Sequence, residues 1–143
     1  MNPKYLKSLP VYNKALEIRL MSREIVTYIS CNKDLLSLYK SKSLRDNIAD
    51  SLLTDAILIP EKIALAEASD SYAVRMKNAR FINVMTRNIL SYCNGLEKDG
   101  VKEKEYLNLL RGEIKKFRTS FKEWRRSIRK GGDSNSWGVR GAF

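Results

Sequence analysis

The side chains of this chain that could do chemistry are cationic. Arg111, Lys115, Arg118, Lys122, Arg125 and Arg129 follow one another at intervals of three or four residues, with Lys116, Arg126 and Lys130 beside them. On a helix that spacing collects the charges on one side. A row of cations on a rigid rod can follow a phosphate backbone, each contact releasing condensed counterions. The guanidinium groups near the end suit phosphate further, because the planar fork pairs with two oxygens at once. The competing reading is a solvated face whose cations favour a helix C-terminus. It accounts for one or two charges per turn, but poorly for these nine with so few acidic neighbours.

The rest of the chain sharpens the contrast. Lys and Arg number 27 against 16 Asp and Glu, a formal net charge of +11 at pH 7. By segment the net is +4 over residues 1–33, −2 over 34–69, +2 over 70–100, +7 over 101–130 and 0 in the remainder. Self-repulsion on that scale asks for a polyanionic partner: DNA, RNA or an anionic membrane face. A merely soluble basic protein is the bland alternative.

Other chemistry is missing. There is no histidine, which removes the commonest general base and metal ligand. Cys31 and Cys93 form no CxxC pair, and without histidine they assemble no usual zinc set. One disulfide between them is formally possible; two small hydrophobes in a reducing cytoplasm are the simpler expectation. Walker, GxGxxG and GxSxG motifs are absent. Asp46, Asp50, Asp55 and Glu61 resemble a carboxylate group, yet Asp46 and Asp50 read as i, i+4 neighbours on a polar helix face. The expectation is a protein with no catalytic residues, no metal and no cofactor.

The elements that must carry the basic row are helices. Three prolines and seven glycines in 143 residues are too few for an all-β chain with frequent turns. Pro10 opens a first helix, because its missing N–H would have no partner there anyway. Val11, Ala15, Ile18, Ser22, Ile25 and Ile29 then mark its inner face, ending near Ser30 to Lys33. Asp34 can cap a second segment with the stripe Leu44, Ile48, Leu52, Ala56, Ile59, Ile63 and Ala66. Pro60 falls inside that stripe and predicts a kink, since the same face continues beyond it. Ser69 or Asp70 can cap a third helix facing inward through Tyr72, Met76, Ala79, Ile82, Met85, Ile89 and Tyr92, with Asn94-Gly95 as its stop. The fourth carries the seam Leu107, Leu110, Ile114, Phe117, Phe121, Trp124 and Ile128, and a heptad-like seam packs nearly parallel or antiparallel to its neighbours.

These segments predict an all-α, up-down-up-down four-helix bundle over residues 1–130. Residues 131–143 are expected to leave the helix as a tail, whose Trp137 and Phe143 are candidates for docking on a partner. Phe117, Phe121 and Trp124 could enter a membrane interface, but the seam needs them as core. No stretch has the apolar length of a membrane span or a signal peptide, so a cytoplasmic protein with no membrane partner is expected.

The segment Leu44-Arg45 through Ile59-Pro60-Glu61-Lys62-Ile63-Ala64-Leu65-Ala66-Glu67 resembles the second helix of the four-helix-bundle proteins encoded in intervening sequences of 23S ribosomal RNA. In that family S-I-P-x-N-I-A-E-G occupies this place; here Lys62 replaces the Asn and the final Glu-Gly is displaced. The opening Leu9-Pro10-Val11-Tyr12-x-x-Ala15-Leu16 is also similar. The high charge and the ending Trp124-Arg125-Arg126-Ser127-Ile128-Arg129-Lys130-Gly131 look more like a related branch, the accessory variability determinant proteins of diversity-generating retroelements. That resemblance implies a homopentameric barrel that binds RNA or RNA-DNA hybrid and associates with a reverse transcriptase. The ribosomal branch implies instead a protein-binding scaffold.

Overall fold

The computed structural model describes residues 3–31 and 33–141, with side chains for residues 4–31 and 33–131. All regular structure among them is helical: α1 (Pro3–Lys7), α2 (Pro10–Ile29), α3 (Leu35–Lys40), α4 (Leu44–Glu67), α5 (Tyr72–Lys98) and α6 (Lys104–Gly141). The chain is therefore all-α, as its periodicity predicts. No helix among the described residues is long and apolar enough to cross a membrane.

Helix starts follow the local chemistry, with shifts from expectation. Leu9 precedes α2 and Pro10 takes its first position. Asp34 does cap a helix, accepting from the Ser37 N–H at 2.8 Å, but that helix is the short α3. The long second segment begins later, behind Ser43, whose hydroxyl accepts from the Asp46 N–H at 3.3 Å. Neither Ser69 nor Asp70 caps α5; Ser71 does, accepting from the Val74 N–H at 3.2 Å. The Ser69 hydroxyl is engaged just before the helix, accepting from the Ser71 N–H at 3.1 Å.

Two expected stops are not stops. α5 passes through Asn94-Gly95 to Lys98, and the chain turns at Gly100, where φ is +88°. Gly95 serves close packing instead: a Cβ there would lie 3.2 Å from Ile48 Cδ1. The α6 backbone likewise continues past Lys130 to Gly141, correcting the expected tail. Gly and Ser only lower helix propensity by up to about 1 kcal/mol each, too little to stop a helix by themselves. Phe143 and the side chain of Trp137, the candidate docking residues, lie outside the described residues.

The four long helices share one apolar core, α2 against α4 and α6, and α5 against α4 and α6. Every residue of the α6 seam is buried, from Leu107 to Ile128. Phe117, Phe121 and Trp124 are thus core, not a membrane-facing set. α4 runs unbroken through Pro60, which is itself buried. Its predicted stripe is displaced at the start, where Leu44 is exposed. On α5, Tyr72 is exposed and Tyr92 only half-buried, and Cys93 and Leu96 complete the core.

One polar cluster crosses this core edge. The Glu67 carboxylate accepts from Trp124 Nε1 at 2.7 Å and from the Tyr5 hydroxyl at 3.3 Å. Arg75 lies 3.7 Å away. A buried carboxylate is tolerated only when hydrogen-bonded and paired, so α1, α5 and α6 are tied to the end of α4 at one side chain.

Candidate nucleic-acid interface

α5 and α6 run antiparallel side by side, with Arg111 against Asn94 and Glu97 at one end. Further along they leave a groove of about 390 Å³ lined by Asn83 and Arg87 of α5 and by Arg118, Phe121, Lys122 and Arg125 of α6. Four cations meet there and, among the described residues, no carboxylate lines it. Among the described residues none of the four makes an ion pair. Rigid helices hold these like charges in proximity, and only an anion would relieve their repulsion. The Arg125 guanidinium carbon stands 5.3 Å from the Phe121 ring centroid, which fixes its place by cation–π contact. The ring itself is only 3% exposed.

The nine predicted contact residues divide into three groups. Arg118, Lys122 and Arg125 line the groove. Lys115, Arg126, Arg129 and Lys130 are exposed on α6, with no ion pair among the described residues. Arg111 and Lys116 do not join the open row. Arg111 donates to Glu97 Oε1 at 3.0 Å and to the side-chain oxygens of Asn94 and Asn108, both at 2.8 Å. Its donors are used in holding α6 to α5. Lys116 pairs with Glu113 at 3.4 Å, one turn back.

The α5 side of the groove is absent from the predicted set. Asn83 and Arg87 line it, and exposed Arg80 lies three and seven residues earlier on the same side of the helix. Their three-and-four spacing is visible in the sequence. The α5 segment carries a net of only +2, so its overall charge does not single them out.

Two of the carboxylates read as a surface group, Asp46 and Asp55, serve structure. Asp46 is buried, its carboxylate accepting from the Lys33 ammonium group and from the Ser41 hydroxyl at 2.7 Å. The Lys33 hydrogen bond holds its pKa below the ordinary carboxylate value. Asp55 accepts from the Tyr92 hydroxyl at 3.2 Å and Asn88 at 3.5 Å. Burial raises its pKa against the effect of those bonds. Among the described residues no three Asp, Glu, Cys or His side chains gather as a metal-binding group. Both cysteines are free; Cys31 is exposed and Cys93 buried, its thiol pushed up to about 11 by desolvation. A thiol so rarely ionised is a poor nucleophile.

No protein-family model, curated protein or solved structure matches this chain.

Proposed function

We propose that this chain is a non-catalytic accessory protein that binds RNA or RNA-DNA hybrid through its basic α5–α6 groove. The observation that carries this is the meeting of Arg87, Arg118, Lys122 and Arg125 around one groove that no carboxylate lines among the described residues. The contact order α2, α4, α5, α6 and back to α2 supports an up-down-up-down four-helix bundle. The resemblance supports the finer parts: a cytoplasmic partner of a reverse transcriptase in a diversity-generating retroelement, assembled as a homopentamer. Five subunits would multiply a modest affinity per groove.

The test is binding of structured RNA and of an RNA-DNA hybrid across a salt series. A log–log slope of about −0.9 per phosphate neutralised is expected on a duplex. A flat response defeats the proposal. Triple charge reversal at Arg118, Lys122 and Arg125 should abolish binding while leaving the helical spectrum unchanged.

A second reading has its own observation. A mostly apolar groove of about 340 Å³ between α2 and α6 is lined by Met21, Ile25, Tyr28, Tyr106 and Leu109 with Glu24 beside them, and it fits a protein-binding scaffold of the ribosomal type. Retention of RNA binding and of the polymerase partner after the triple reversal would favour that reading.

A further inference from the structure

We infer that the α5–α6 groove is built for double-stranded rather than single-stranded nucleic acid, held by its phosphates without reading the bases. The inference rests on the reading of that groove as a nucleic-acid site and names the form of its ligand.

The first argument is the absence of a stacking platform. Proteins that hold single strands combine a basic groove with exposed aromatic rings, each stacked base adding about 1–3 kcal/mol. Here the groove's one aromatic, Phe121, is 3% exposed. Its ring is flanked by Phe117 at 5.9 Å and Trp124 at 6.0 Å, with the Arg125 guanidinium over it. A single strand lying in the groove would meet no exposed ring among its described lining residues. A duplex keeps its bases stacked within itself and needs no protein ring, while its two backbones offer the phosphates that these cations pair with.

The second argument is charge density. From Arg118 to Arg129 the cations span about 16 Å of helix axis at 1.5 Å per residue. Over that length a duplex carries about ten phosphates, one per 1.7 Å counting both strands, and one of its strands only half as many. The cations also stand in two rows, Arg80 and Arg87 on α5 and Arg118 to Arg129 on α6, whose helix axes lie about 8–10 Å apart. One strand can satisfy one row; two backbones bordering a groove of the double helix can satisfy both. Among the described residues Asn83 is the sole neutral polar side chain lining the site, and the four cations beside it suit phosphate, which carries no sequence information.

The experiment compares fluorescently labelled RNA duplex of about two helical turns with one of its strands, chosen to be unstructured, by anisotropy on the full chain at several salt concentrations. Binding at least about tenfold tighter to duplex, with a salt slope near −4 for four groove contacts, is expected. Duplexes of permuted sequence should bind alike within about twofold. Arg87→Gln, an exposed residue whose loss leaves the core intact, should weaken duplex binding and make the slope shallower by about 1. Equal or tighter binding of the single strand, or an Arg87→Gln variant that binds duplex like the parent, overturns the inference while leaving the groove a nucleic-acid site. Failure of both nucleic acids to bind overturns the proposed function as well.

Discussion

Glu67 shows how one side chain can serve several elements. Its carboxylate, 6% exposed, is the shared acceptor for Trp124 and Tyr5 and faces Arg75. Glu67→Ala would leave an indole N–H and a guanidinium without their acceptor in a partly dry site. A loss of about 3 kcal/mol is expected, since breaking a buried pair strands the surviving charge, and thermal unfolding would read it as a fall in Tm of several degrees. Asp46 makes a pH-dependent contribution. Its folded pKa lies below the ordinary value of 3.8 because Lys33 and Ser41 donate to the ionised form. Its stabilisation is therefore complete above about pH 4 and lost as pH falls through the depressed folded value. Urea titrations of the parent and Asp46→Asn should differ most near neutrality and converge toward pH 2; a constant gap would contradict the assignment.

At the scale of elements, what was legible in the sequence was whatever depends on near neighbours along the chain. The α6 seam from Leu107 to Ile128 is a single-helix pattern, and all of it is buried. Arg111 shared the spacing of the basic row, but its partners Asn94 and Glu97 come from the α5–α6 register, which no local pattern contains. The same register brings Arg87 to Arg118, so half of the groove was hidden for the same reason. Arg111→Gln should accordingly lower Tm and leave nucleic-acid affinity within about twofold, whereas Arg118→Gln should do the reverse. Glycines offer a second contrast. Gly100 turns the chain at φ +88° with open space around it, and Gly112 sits exposed within α6, also with nothing near a Cβ. Gly100→Ala should destabilise by about 1 kcal/mol through its left-handed backbone, and Gly112→Ala should stabilise by about as much through helix propensity. Chemical denaturation of the two variants gives the signs directly.

For the whole molecule, charge is distributed unevenly between two faces. Among the described residues the α5–α6 groove has four cations and no carboxylate, while the shallow pockets along α2 and α6 are bordered by five carboxylates and five cations. On a chain of net charge +11 that neutral face is where a second copy can approach without strong repulsion. It also exposes large apolar groups, Leu20 at 58%, Tyr28 at 60% and Leu109 at 58%, with Tyr28 and Tyr106 packed edge to face. If the proposed homo-oligomer forms through this face, Leu109→Arg should dissociate it, because a buried unpaired guanidinium at a contact costs several kcal/mol. Leu109 is outside the core, so the subunit should keep its Tm apart from any contribution of assembly. Sedimentation velocity at micromolar concentration would show a single smaller species, with RNA affinity reduced only by the lost multivalency. A parent chain that is already monomeric, or an assembly indifferent to Leu109→Arg, would move the self-contact elsewhere or remove it.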